Sequence, residues 1–368
     1  MIICFYDKDF KGEKDNAALV VDNSSFSLVR RAVDCDDFKC RCEAFTENIQ
    51  PAFVVLKNDL GNYIYGALAG VPQLTKENQT EITAADVKTL LKSDVILDLT
   101  KSFTNVNSFL SYVFGEWNTQ VNQGTISSEL RISDSVGDIA FDNLKPSAES
   151  VAAYDAWEDI FAPYLKYYGL YMTTQIDLVG KKIIFNVGKS MCRDLNVKLW
   201  ELGIYDYGKW VTDVNETQGY VLNTATNALT AGFKWILRSD NSITTNVEYR
   251  NIYPIKRRVV VKETEDDTEV TALLDEANSE ALKELTESMF QENIEIDAVN
   301  ELMGNVYQGN AGINVRDTDF ETKFNIYVKR GGETSLYKSL PCGELHYDGS
   351  GLKKVQIGYR LTGIQFII

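Results

Sequence analysis

Three thiols stand close together near the start of the chain, at Cys35, Cys40 and Cys42, with Cys4 upstream as a possible fourth. Clustered thiolates are the donor set of a zinc site or an iron–sulfur cluster. The residues around them favour a plainer reading. Phe38, Cys40, Cys42 and Ala44 alternate with Lys39, Arg41 and Glu43, which is the period of a half-buried strand, and free cysteine serves well as a small core residue. A metal site on Cys35, Cys40 and Cys42 is the alternative to that strand.

Other chemistry finds less support. His346 is the one histidine of the chain, which excludes a multi-histidine zinc centre and leaves little for a Ser-His-Asp triad. The glycines at 66, 70, 169 and 180 do not fall into a phosphate-cradling spacing, and no Gly-Lys-Ser/Thr follows a strand. The acidic run Glu263 to Glu269 lacks the ligand order of a calcium loop. It is placed instead to complement the dipole of a helix that follows it. Glu276, Glu280, Glu284 and Glu287 then read as the solvated face of that helix. Catalytic residues and cofactors are expected to be absent, and the chain is not expected to be an enzyme. Lys256, Arg257 and Arg258 form an isolated basic cluster; it suits contact with an acidic partner or neighbouring subunit, or a charged edge strand.

The elements that must position these residues sit in a chain of 368 residues, 44% hydrophobic and 24% charged, with a formal charge of -16. Such a length supports a sizeable core and two or three domains. The negative charge disfavours phosphate backbones and anionic lipid headgroups, so sequence-specific nucleic-acid binding is not expected. The start, Met1-Ile2-Ile3-Cys4-Phe5-Tyr6-Asp7, carries no basic region, and no segment stays apolar for the roughly 18 residues of a membrane span. Six sparse cysteines read as reduced thiols of a protein made in a cytoplasm.

Along residues 1–100, strands are expected at 17–21, 25–30, 37–44, 52–57 and 63–67, spaced as in a small barrel or sandwich. A short helix follows, capped by Thr83 with Asp86 three residues on. Residues 101–210 form a middle unit. Val106, Phe109, Leu110, Val113, Phe114 and Trp117 make a helical stripe, and a second helix is expected from about Ser147 to Tyr168, ended by Gly169. Strands at 170–176 and 182–187 complete a helix packed on a small sheet. Residues 211–368 return to β structure, with a hairpin across 238–242 and an amphipathic helix over 268–290. The fold class is therefore α+β and β-rich.

This order of elements resembles the hub, or tail-tip, proteins of bacteriophage tails, including the N-terminal structural module of siphophage tail-associated lysins and the myophage baseplate hub. Ser27-Leu28-Val29-Arg30-Arg31 with Asp37 to Cys42, and Glu81-Ile82-Thr83 through Leu91, look like the opening barrel and the helix after it. Trp157 to Phe161 with Gly169-Leu170-Tyr171 and Lys182 to Phe185 look like the middle domain. Arg250 to Ile255, the helix to Phe290, Asn293 to Ile296 and Val355 to Tyr359 complete the likeness.

The resemblance implies two β-barrel-like domains flanking a small helix-on-sheet domain, assembled as a homotrimer whose barrels make a pseudo-sixfold ring. It implies a virion component at the tail tip or baseplate, made in the bacterial host cytoplasm. Its partners would be the tail tube or distal tail protein ring, the tape measure protein, and tail fibre or receptor-binding proteins, serving host attachment and genome delivery. Many members continue into a peptidoglycan-hydrolase or fibre-like region, whereas this chain ends at Ile368, so no lytic activity is expected. The alternative is a non-catalytic carbohydrate- or cell-surface-binding β protein, for which Tyr164, Tyr167, Tyr168 and Tyr171 would be the sugar platform.

Overall fold

The computed structural model describes residues 2–19, 25–43, 52–58, 60–70, 73–142, 151–202, 214–238, 243–246, 256–287, 294–297, 306–308, 311–312, 318–349 and 351–358. They are β-rich with a few helices, as the sequence leads one to expect, and they group into two compact units. One gathers the described residues within 1–143, 150–205 and 294–359; the other gathers those within 206–293.

The larger unit begins with β1 (Ile2–Tyr6), β2 (Gly12–Leu19), β3 (Ser27–Arg31), β4 (Asp37–Glu43), β5 (Phe53–Lys57), β6 (Tyr63–Leu68), β7 (Gln73–Leu74) and β8 (Gln79–Ala85). β4 is the alternating strand expected around the cysteines, with Phe38, Cys40 and Cys42 buried and their neighbours exposed. Their side chains join Ile3, Phe5, Leu28, Val54, Leu56 and Ile82 in one core cluster. Thr83 belongs to β8, so it caps nothing. Asp86 is the cap instead, accepting from the Lys88 N–H at the head of a 3-10 turn, Val87–Leu91.

β9 (Asp94–Asp98), α1 (Val106–Trp117), β10 (Ser128–Ile132), α2 (Asp134–Gly137) and β11 (Val151–Asp155) follow. The helical stripe of α1 is buried as its spacing predicts. The second expected helix is shorter than its periodicity suggested. Val151–Asp155 pairs antiparallel with β9, and Asp155 caps a π-helical turn over Ala156–Phe161 that runs into α3 (Ala162–Tyr167). The part of that expected helix at 147–150 lies outside the described residues. β12 (Leu170–Asp177) and β13 (Lys182–Lys189) form the expected hairpin, and β10 adds parallel to β13. Phe109 stacks on Phe141 at 4.4 Å between ring centres and meets Tyr164 at 4.6 Å, so aromatic packing joins the helices to one another.

β14 (Arg193–Lys198) precedes the smaller unit, which holds β15 (Glu216–Asn223), β16 (Ala228–Leu237), β17 (Ile243–Thr244), β18 (Arg257–Thr264) and α4 (Val270–Glu287). The chain then returns to the larger unit as β19 (Ile294–Asp297), β20 (Val306–Gln308), β21 (Ala311–Gly312), β22 (Thr322–Arg330), β23 (Glu333–Asp348) and β24 (Gly351–Ile357). β23 is the joining strand: its first half pairs with β22, while its second half pairs with both β24 and β3. Fifteen described strands thereby share one sheet, and β3 near the start of the chain lies beside β23 near its end.

Candidate functional site

In the smaller unit the sheet order is β17-β16-β15-β18, with β18 parallel to β15. Alternation along β18 decides what each face offers. Arg258 reaches Glu284 of α4 at 3.5 Å, and Lys262 reaches Glu276 at 2.9 Å and Glu280 at 2.7 Å. Between them Val260 packs with Ala277 and Ala281. Thus Arg258, Val260 and Lys262 face the helix. Three glutamates read as a solvated face are partners of the basic positions of this strand; the side chain of Glu287 lies outside the described residues.

Glycine lets the helix approach the sheet. A Cβ on Gly219 would stand 2.7 Å from the Ala277 carbonyl carbon, and one on Gly232 would stand 2.0 Å from Oδ1 of Asn278. Both distances are too short for a real side chain. In that space the Thr217 hydroxyl donates to the Ala281 carbonyl at 2.8 Å, and the Phe233 N–H donates to Asn278 Oδ1 at 2.9 Å.

The alternate positions of β18, Arg257, Val259, Val261 and Glu263, turn to the opposite face. Register places Val259 beside Gln218, Val261 beside Tyr220, and Leu222 beside Leu229. Val259 is 46% exposed, Val261 48% and Leu229 60%, so this stretch of the face is apolar and uncovered among the described residues, whereas Glu216, Gln218 and Ile236 further along it are buried. At one end it is closed by a polar knot. Arg257 donates to Gln218 at 2.8 Å and to the Tyr220 hydroxyl at 2.6 Å, and its Nε lies 3.4 Å from the buried Glu216 carboxylate. The basic cluster is thus divided: Arg257 serves the open face, Arg258 holds the helix, and Lys256 is exposed just before the strand. Sequence could not assign these roles, because two adjacent arginines differ in role only once a face is chosen.

The cysteines are placed by packing. Burial pushes the Cys40 thiol far up, the Cys42 thiol up to about 12 and the Cys35 thiol up to about 11. A thiol held that high is a poor source of thiolate for a metal. Among the described residues no group of three or more His, Cys, Asp or Glu side chains is arranged to hold a metal ion. His346 lies on β23 with its Nε2 2.9 Å from the Glu344 carboxylate. Three of the four tyrosines touch one another: Tyr164 stacks on Tyr168 at 6.4 Å and Tyr167 meets Tyr168 edge-on at 4.9 Å. Tyr164 is fully buried, Tyr168 accepts from the Asp142 N–H at 3.0 Å, and Tyr171 donates to Glu321 at 3.2 Å. Among the described residues no helix is long and apolar enough to cross a membrane.

No protein-family model matches the chain, and no curated protein matches it in sequence. Among solved structures, the prophage tail protein gp18 from Listeria monocytogenes EGD-e is similar over 99% of this chain and 95% of its own, with 9% identity and a TM-score of 0.43. The 43 kDa tail protein of prophage MuSo2 from Shewanella oneidensis is similar over 93% and 95%, with 11% identity and a TM-score of 0.43. The tail protein from Neisseria meningitidis MC58 is similar over 90% of each chain, with 10% identity and a TM-score of 0.42.

Proposed function

We propose that this protein is a structural hub of a phage tail tip or baseplate. It assembles as a homotrimer whose barrel-like halves form a ring, closing the distal tail tube and linking it to the tape measure protein and to fibres or receptor-binding proteins. The role in host attachment and genome delivery follows from the resemblance in the order of elements. The observation that carries an assembly role is the open face of the smaller unit's sheet. A sheet with one face sealed by a helix and the other apolar is the usual form of a surface made to be covered. Charge supports the same reading: a ring of chains each carrying a formal -16 gains nothing from counterion release, so DNA passing it would not adhere.

Mass photometry of the purified chain tests the proposal. A stable trimer is the expected result, and a clean monomer at micromolar concentration would remove it.

A further inference from the structure

The turn between β3 and β4 folds over a lysine that is 1% exposed. Lys88 Nζ lies 3.1 Å from Asp36 Oδ1 and 3.1 Å from Asp86 Oδ2, whose side chains are 6% and 0% exposed. It also lies 2.5 Å from the Asp34 carbonyl and 3.2 Å from the Arg31 carbonyl. The ring of Trp157 closes over it, with its centre 6.0 Å from Nζ.

The two carboxyls are held differently. Asp86 caps the 3-10 turn through Oδ1, which accepts from the Lys88 N–H at 3.0 Å, while Oδ2 accepts from the Asp36 N–H at 2.7 Å. Asp36 comes from the other side of the cluster, and its Oδ1 accepts from the Arg31 N–H at 2.8 Å. An ammonium nitrogen therefore touches one carboxyl polarised by a backbone donor, with a second carboxylate in reach of the same nitrogen. Water, which would solvate the ions and hydrolyse the product, is shut out.

We propose that Lys88 and Asp36 condense into an intramolecular isopeptide bond, with Asp86 as the proton carrier. One proton passes from the ammonium to Asp36, leaving a neutral amine whose two hydrogens point at the Asp34 and Arg31 carbonyls. The amine lone pair attacks Cγ of Asp36 and forms the N–C bond. The charge that develops on Oδ1 is met by the Arg31 N–H. Asp86 takes a proton from the nitrogen and gives it to Oδ2, the Cγ–Oδ2 bond breaks, and one water leaves. Asp86 ends as the carboxylate it began as. No oxidant, metal or further reactant is consumed.

The protonation balance sets the pace. Burial pushes the Asp36 carboxyl up, outweighing the attraction of Lys88, so its neutral acid is accessible. For Lys88, burial acts to lower the ammonium, but the two carboxylates outweigh it and hold its proton. The reactive pair is thus the form in which that proton has moved from Lys88 to Asp36.

Intact-mass spectrometry of the purified full chain after incubation at neutral pH reads the result directly. The expected mass is one water, about 18 Da, below the sequence mass, with the peptides carrying Asp36 and Lys88 joined in a tryptic map. The variant Asp86→Asn keeps the shape of the cap and should show the full mass. Folded wild type that retains the full sequence mass overturns the proposal, leaving the cluster an ion triad. So does a lost water that maps to a succinimide at Asp348-Gly349, which changes the mass equally. An Asp86→Asn variant that crosslinks at the wild-type rate removes Asp86 from the mechanism.

Discussion

Lys88 in the larger unit and Lys262 in the smaller one have the same formal partners, one ammonium against two carboxylates at 2.7–3.1 Å. Their surroundings differ. The Lys262 side chain is 26% exposed and its glutamates 60% and 47%, so water competes for every contact and long side chains must be ordered to make it. The Lys88 cluster is sealed, and each of its oxygens was stripped of water when the chain folded. A buried charge that loses its partner cannot be rescued by solvent, whereas an exposed one can. Distance alone therefore says little about what an ion pair does.

The contrast can be broken first at its strong end. Lys88→Met strands Asp36 and Asp86 in the interior and should cost about 3–5 kcal/mol, read as a large fall in the urea midpoint; a loss under about 1 kcal/mol would mean that water reaches the cluster. A charge placed on the uncovered sheet face should act in the opposite manner. Val261→Glu should leave the urea midpoint of the smaller unit within about 0.5 kcal/mol of wild type while converting trimer to monomer in mass photometry. A variant that stays trimeric would take this face out of the assembly.

At the weak end, Lys262→Met should cost less than about 1 kcal/mol, and the difference from wild type should shrink further in 1 M salt. The smallest effect belongs to Glu129, a partly exposed carboxylate between Arg131 and Lys182. Hydrogen bonds from Arg131 and then Lys182 pull it down to about 2 from its usual 4.5. Its contribution is thus fully present above about pH 4.5 and is lost as the pH falls through about 2, which a carboxyl NMR titration would follow. A midpoint near 4.5 would show that the two cations do not hold it.

Local pattern made much of this legible. The stripe of Val106 to Trp117 and the alternation around Cys40 depend on near neighbours, and both elements stand where the spacing places them. Val151–Asp155 was not legible as a strand, because Tyr154 and Trp157 keep helical spacing while the choice is made by β9, more than 50 residues earlier. Lys88 was equally hidden. Its partner Asp36 lies 52 residues away, and the only local sign is a lysine set between Val87 and Leu91, both fully buried. The division of Arg257 from Arg258 needed a helix that arrives later in the chain.

The pairing of β3 with β23 also has a consequence in time. Arg31 and Glu344, which face each other across that ladder, are 313 residues apart in the chain. At about 5–20 residues per second of synthesis, the first strand waits roughly 15–60 s for its neighbour. Through that interval the β3 edge has open hydrogen-bonding groups while β4 to β8 can already close beside it, and β15 to α4 are complete before β22 to β24 leave the ribosome. The larger unit is therefore the last to finish although it is the first to start, and protection of the waiting β3 edge becomes a condition of producing the protein at all.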